Sequence, residues 1–284
     1  MSSGTAINLE AAFRAAKEKN PHAYPRAIAA ELGVGEVDIL PFASVGNVRK
    51  LSCDSMGLLQ LLTRCGKIKM MVRNDFAVLE MFGEVTLATG NDQFELQWSK
   101  GVIKISANYP WRIYQVDPGM QKSNEQSDAE GKVSLQWYSA RGDAFLKVFI
   151  PLEVWQTAQN LHGSGAGPAQ KDPSTVFAEQ PDIVFSEAVH VKAAREMLDQ
   201  AGLTYKKIGL SVLLREGEGR VAAEILHSPE KIVDARGWFN ILDADFNLHL
   251  KEEEIDSALC FVIDENRKAV RVKSKDQYLD VFQK

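Results

Sequence analysis

Two periodicities divide the chain. Apolar residues recur at helical spacing in Leu9–Lys19, and the same spacing resumes in Tyr24–Leu32 after two prolines. From residue 44 onward the pattern changes to alternating apolar and polar positions, which predicts β-strands. Two further helices are predicted at Met56–Cys65 and Val189–Ala201, each followed by a glycine. Helices and strands in this arrangement predict an α+β fold.

The predicted strands are short and separated by turn residues. They are Lys67–Arg73, Ala77–Phe82, Phe94–Trp98, Val102–Ala107, Arg112–Val116, Val133–Tyr138, Phe145–Ile150, Ile208–Leu214, Val221–Leu226, Leu259–Ile263, Val270–Val272 and Tyr278–Phe282. Asn74-Asp75 closes the first two into a hairpin.

The segment Gly237–Leu250, GWFNILDADFNLHL, predicts a hairpin around a tight Asp-Ala-Asp turn. Alternation places Phe246, Leu248 and Leu250 on one face of the second strand. Asn247 and His249 then lie on the opposite face. A histidine in that position is more often hydrogen-bonded structure than a metal ligand.

The order of elements suggests an internal repeat. Each half contains a helix, a hairpin, further strands and a closing hairpin, and SLQWYSARGDAFLKVF (Ser134–Phe149) matches VRVKSKDQYLDVF (Val270–Phe282) at its end. Glycines and prolines crowd residues 151–182, which predicts a linker. We therefore expect repeats over 1–150, with a helical cap, and over 183–284.

Composition narrows the function classes. The chain has 284 residues and a formal net charge of −5, which disfavours an extended nucleic-acid surface. The run IAAELGVGEVDIL (Ile28–Leu40) superficially resembles a helix-turn-helix, but a helical cap is the favoured interpretation because its acidic residues would meet phosphates poorly. A DNA-binding regulator built on residues 24–40 is a distant alternative. The charged N-terminal segment, the short apolar runs and three cysteines without CxxC spacing predict a cytoplasmic protein without membrane insertion.

Several segments resemble one known family, the HemS/ChuS-type haemin-trafficking and haemin-degrading proteins. The strongest is Gly237–Lys251, and Ser134–Phe149 looks like the family's own closing hairpin. The start of the chain resembles the family's helical region, HSPEKIV (His227–Val233) resembles its HTG-x-VEKI segment, and YPWRIYQV (Tyr109–Val116) resembles its first-half strand.

The resemblance implies an α+β fold of two pseudo-repeats, each a HemS/ChuX-like antiparallel sheet with flanking helices. It also implies haem as the ligand, serving haem-iron uptake, with an importer or a haem oxygenase as partner. A homodimer is a further expectation. A haem site needs an axial iron ligand, cations for two propionates and apolar walls.

The resemblance names candidate haem contacts. Arg112 matches the family's first-half arginine near the haem, beside Trp111, and Lys251 follows FNLHL where the family usually has a basic residue. In longer members the axial histidine lies in a central stretch like TDVHQFF, which this chain lacks. The alternative iron ligands are His227, His162 and His249.

The missing central stretch leaves the activity open. Carrying or storing haem is the preferred function. A haem-degrading enzyme, which would need an electron donor, is the alternative, and so is a degenerate structural or regulatory protein that binds no haem.

Overall fold

The computed structural model describes most of the chain. The described residues are 8–44, 47–51, 55–90, 93–107, 109, 111–117, 131–162, 185–189, 196, 207–213, 220–226, 229–235, 237–264, 267–274 and 277–282. They form two compact units, one comprising Met1–Ser52 and Pro110–Glu153, the other Cys53–Tyr109 and Val154–Lys284.

The first unit combines three helices with a small antiparallel sheet. The helices are α1 (Leu9–Lys19), α2 (Pro25–Leu32) and α3 (Glu36–Ala43), and the strands are β1 (Val48–Lys50), β7 (Arg112–Val116), β8 (Lys132–Tyr138) and β9 (Ala144–Pro151). The strands pair antiparallel in the order β1-β7-β8-β9. Helix α5 (Leu152–His162) follows β9 directly.

The three helices form the cap expected at the N-terminus. Asn8 caps α1 by accepting from the Ala11 backbone N–H, and Pro25 opens α2 at a position where no helical hydrogen bond is lost. Gly33 ends α2 with a φ of 69°. Helix α3 then buries Val37 and Leu40 against Tyr138 and Ala144, so the cap is joined to the sheet by an apolar contact.

The second unit contains two antiparallel sheets. Its earlier elements are α4 (Ser55–Leu62), β2 (Ile68–Arg73), β3 (Ala77–Gly83), β4 (Thr86–Thr89), β5 (Gln93–Trp98) and β6 (Gly101–Ser106). Its later strands are β10 (Phe185–Val189), β11 (Lys207–Leu213), β12 (Arg220–Leu226), β13 (Ile232–Ala235), β14 (Trp238–Leu242), β15 (Phe246–Lys251), β16 (Ser257–Asp264), β17 (Arg267–Ser274) and β18 (Gln277–Phe282). A 3₁₀ turn, Glu252–Glu254, follows β15.

One sheet of this unit has the order β2-β3-β15-β14-β13, and the other has β10-β16-β17-β18-β11-β12-β6-β5-β4. All pairs are antiparallel. The first of these sheets has an apolar face, on which Met70, Leu79, Phe239 and Leu248 are all buried. Strand β2 of this sheet contacts β11 and β12 of the other.

The two halves of the chain exchange strands within this unit. The hairpin β2-β3 is extended by β15, β14 and β13 from the second half, and β11-β12 is extended by β6, β5 and β4 from the first. The hairpins β5-β6 and β14-β15 also agree residue by residue, since Glu95 pairs with Lys104 where Asn240 pairs with His249. This correspondence supports the two-repeat hypothesis, which stays a prediction.

The α+β prediction is confirmed, and most predicted strands lie within two residues of the observed ones. Two details differ: helix α5 occupies the start of the predicted linker, and strands β1, β4, β10 and β13 had no prediction. The predicted hairpin is present, with Asp243-Ala244-Asp245 between β14 and β15 and the Asp243 N–H donating to Phe246 O at 2.9 Å. Of the predicted helix Val189–Ala201, only Val189, which ends β10, and Glu196, which is helical, are described.

Candidate functional site

The sheet β2-β3-β15-β14 carries a polar face opposite its apolar one. Alternation along β15 buries Leu248 and Leu250 and leaves Asn247 and His249 half-buried on the other side, as the sequence pattern predicted. We call this surface the His249 face and define it by Lys69, Glu80, Asn240, Asn247 and His249, which strand register brings onto the same side.

A side-chain amide orients the His249 ring. Asn240 Nδ2 donates to Val233 O at 3.0 Å and to Trp238 O at 2.9 Å, which fixes the amino end of the amide. Asn240 Oδ1 therefore faces His249 Nδ1, 2.7 Å away. Because this oxygen can only accept, the proton belongs on Nδ1. The Nε2 lone pair of the neutral ring is then free of any hydrogen bond within the described structure.

The surroundings keep His249 neutral. Burial lowers the pKa of His249 below its ordinary value of 6.5; the Glu80 carboxylate opposes this effect and the Lys69 ammonium adds to it. Glu80 is itself held by Lys69 Nζ at 3.1 Å and by Asn247 Nδ2 at 3.3 Å. A neutral imidazole with one nitrogen anchored and the other open is the form that binds a transition metal.

In the hairpin β5-β6, Glu95 and Lys104 occupy the positions equivalent to Asn240 and His249, and their chemistry is different. Glu95 is fully buried, Lys104 Nζ lies 3.5 Å from its Oε1, and the side chains of Gln93 and Gln97 donate to its two oxygens at 2.9 and 3.0 Å. Burial lowers the pKa of Lys104, and Glu95 acts against that shift. This pair is satisfied internally and offers no metal ligand.

Arg112, at the start of β7, holds the turn between β8 and β9. Its Nη2 donates to Ser139 O at 2.9 Å and Ala140 O at 2.8 Å. Its Nε is buried and lacks a hydrogen-bond partner, and no carboxylate of a described residue lies within 4 Å of the guanidinium. A half-buried cation without a counter-ion attracts an anionic group.

Trp111 and Lys251 have local partners. The Trp111 ring packs on Phe145 with centroids 4.4 Å apart. Lys251 Nζ donates to Glu254 Oε1 at 2.8 Å and lies 2.8 Å from Glu253 Oε1, and these two hydrogen bonds raise the pKa of Lys251. A propionate at Lys251 would compete with both glutamates.

The side chains of two candidate ligands lie outside the described part of the structure. His227 lies outside the described residues. His162 ends helix α5, and its side chain likewise lies outside the description. Within the described part of the chain, no group of three or more His, Cys, Asp or Glu side chains could hold a metal ion. No described helix is long and apolar enough to cross a bilayer.

Sequence reasoning missed Asn240, the residue that sets the His249 tautomer. Alternation along β14 places Asn240 on the polar side, but its pairing with His249 depends on the turn length. It also missed Glu80 and Lys69, because strand β3 pairs with a strand distant in sequence.

Sequence comparison finds relatives that handle haemin. The chain is 26% identical over 136 residues to the hemin transport protein HemS of Yersinia enterocolitica, covering 48% of this chain and 38% of HemS. It is 22% identical over 281 residues to the hemin transport protein HmuS of Yersinia pestis, covering 84% of this chain and 80% of HmuS. The aligned part thus spans well under half of HemS. No family model matches the chain.

Structure comparison shows the same fold over nearly the whole chain. The heme-binding protein PhuS from Pseudomonas aeruginosa, in its holo form, matches with a TM-score of 0.71 and 18% identity over 99% of this chain and 94% of PhuS. The heme degrading enzyme ChuS from Escherichia coli O157:H7 matches with a TM-score of 0.72 and 19% identity over 98% and 93%.

The fold defines an α+β protein built like PhuS and ChuS. The resemblance inferred from the sequence is confirmed as a similarity: the chain is similar in sequence to HemS and HmuS and shares the fold of PhuS and ChuS.

Proposed function

We propose that this protein binds haem and carries or stores it in haem-iron uptake. The main support is the similarity to hemin transport proteins, which extends over 84% of the chain in HmuS. A second support is the fold, which matches that of the heme-binding protein PhuS over 99% of this chain. In this role haem is cargo, and the cytoplasm is the proposed location.

His249 is the proposed iron ligand among the three histidine candidates. Asn240 anchors Nδ1, so Nε2 presents a lone pair without the entropic cost of orienting a free ring. Iron in haem needs one such axial nitrogen. His162 and His227 stay alternatives, since the described structure places neither side chain.

Arg112 is the proposed partner of a haem propionate. No carboxylate of a described residue pairs with its charge, and the exposed Nη2 end of its guanidinium, not the buried Nε, would meet the propionate. A carboxylate there would gain a charge-assisted hydrogen bond, worth about 1.5–3 kcal/mol. Trp111 beside it would contribute apolar surface, and Lys251 is proposed as a second, weaker propionate contact.

A haem-degrading activity is the second candidate function, supported by the fold match to ChuS. Under either function His249 binds and orients the cargo, and the bound haem would supply the redox chemistry. A degrading enzyme would in addition need an electron donor. A haem importer, a haem oxygenase and a second copy of this chain are the proposed partners.

Haemin titration followed in the Soret region tests the proposal. We expect a shifted band that saturates at one haemin per chain, and free-haemin spectra at every ratio would exclude haem binding. His249→Ala should abolish the ligated spectrum, whereas His22→Ala, at an exposed position in the helical cap, should not change it. A ligated spectrum that survives in His249→Ala but disappears in His162→Ala or His227→Ala would assign the ligand elsewhere.

Addition of ascorbate to the complex separates the carrier from the enzyme. A carrier should keep its Soret band for hours, with no iron released to a chelator. Loss of the band together with iron release would favour the degrading activity.

A further inference from the structure

The helical cap and Arg112 contact the same turn, and the cap does so partly through one buried carboxylate. We call residues 139–144, the turn between β8 and β9 together with the first residue of β9, the 139–144 turn. Arg112 Nη2 binds the Ser139 and Ala140 carbonyls on one side. On the other side Glu36, the first residue of α3, is 2% exposed and accepts from the Ala144 backbone N–H at 3.4 Å.

Two cations fix Glu36 in place. Lys147 Nζ donates to Glu36 Oε1 at 2.8 Å, and Arg26 Nη1 lies 3.9 Å from Glu36 Oε2. The same Arg26 nitrogen donates to Ala144 O at 2.9 Å. Both backbone groups of Ala144 are therefore bound by charged side chains of the first unit. Removal of the Glu36 charge would leave two largely buried cations without their shared partner.

The backbone of the cap also lies directly on the turn. The Val37 N–H donates to Gly142 O at 2.8 Å. A Cβ on Gly35 would lie 2.5 Å from Arg141 O, and one on Gly142 would lie 2.9 Å from Val37 Cγ1 and 3.4 Å from Arg112 Nη2. Such close packing leaves no room for the cap to shift without moving the turn.

We propose that Glu36 is a positioning residue for Arg112: it ties the 139–144 turn to the helical cap and thereby sets how tightly Arg112 holds an anionic group of the ligand. The proposal rests on the proposed function for the identity of that anion, a haem propionate. The link between Glu36 and Arg112 itself rests only on contacts within the first unit. Because Arg112 binds the turn through fixed carbonyls, a displaced turn changes the direction of the remaining guanidinium donors.

The test uses Glu36→Gln, which keeps the shape and removes the charge. In the full-length protein without haemin, the Arg112 Nε–Hε NMR cross-peak, assigned by its loss in Arg112→Lys, should shift. Haemin affinity should fall about tenfold, equivalent to roughly 1.4 kcal/mol. Lys147→Met, which removes one cation and keeps Arg26, should shift the same cross-peak.

Glu10→Gln is the matched control, because it breaks the exposed Arg14–Glu10 ion pair on α1 and touches nothing near the turn. It should leave both the cross-peak and the affinity unchanged. An unshifted cross-peak in Glu36→Gln would overturn the proposal, even if haemin affinity changed. If wild-type protein bound no haemin, the proposed function would fail while the cross-peak would still decide whether Glu36 positions Arg112.

Discussion

Replacement of Asn240 by alanine should release the His249 ring and weaken the fold. Asn240 is 6% exposed and makes three hydrogen bonds, to Val233 O, to Trp238 O and to His249 Nδ1. Each is worth about 0.5–1.5 kcal/mol, so the loss should total about 2–4 kcal/mol of unfolding free energy. Urea denaturation followed by circular dichroism measures this loss.

The same substitution should change the His249 tautomer. In the wild type, ¹⁵N NMR at pH 7 should show a protonated Nδ1 and an unprotonated Nε2, and Asn240→Ala should shift the ring towards a mixture of tautomers. Asn247→Ala is the control, since Asn247 makes one hydrogen bond, to Glu80 at 3.3 Å. It should cost about 1 kcal/mol or less and leave the tautomer alone. An unchanged tautomer in Asn240→Ala would refute the argument that the amide sets it.

Three further predictions concern charge, backbone and stoichiometry. Burial raises the pKa of the Cys65 thiol to about 11 from 9.0, so peptide mapping should show slow alkylation of Cys65 in the native protein at pH 8. The free energy of unfolding should fall between pH 9 and 11, because the thiol ionises first in the unfolded chain. Rapid alkylation of the native protein would contradict this burial. Gly142→Ala should lower the free energy of unfolding by at least about 1–3 kcal/mol in thermal or urea unfolding, since Gly142 has a φ of 96° and an added Cβ would press on Val37. The control Ala140→Gly, in the same turn, should cost less. Glu95 and Lys104 pair with each other at the positions equivalent to Asn240 and His249 and so offer no iron ligand. Isothermal titration should therefore find one strong haemin site per chain. Two equal sites would contradict this difference between the two hairpins.

The alternation of apolar and polar residues predicted the strands, because a strand with one buried face alternates in this way. The alternation of Phe246, Leu248 and Leu250 against Asn247 and His249 was sufficient to orient β15. It could not set the register, because an Asp-Ala-Asp turn is compatible with more than one pairing of the two strands; the observed pairing, with the Asp243 N–H donating to Phe246 O, places Asn240 opposite His249. The tautomer of His249 therefore depends on a strand pairing that the sequence did not reveal.

Long-range contacts account for the remaining differences. Glu80 reaches the His249 face because β3 pairs with β15, and Arg112 is held by carbonyls of a turn that follows it by more than twenty residues. Neither contact has a local sequence signal. Helix α5 did have a local sequence signal, since Trp155 and Ala158 recur at helical spacing and are buried. The glycines and prolines that follow the helix obscured this signal.

The central claim is that His249 Nε2 is the ligand through which this protein holds haem. Haemin titration of the wild type beside His249→Ala, read by Soret absorbance and by low-temperature electron paramagnetic resonance, tests it most directly. The account predicts a saturable histidine-ligated spectrum at one haemin per chain in the wild type and its loss in His249→Ala. An identical ligated spectrum in both proteins would contradict it.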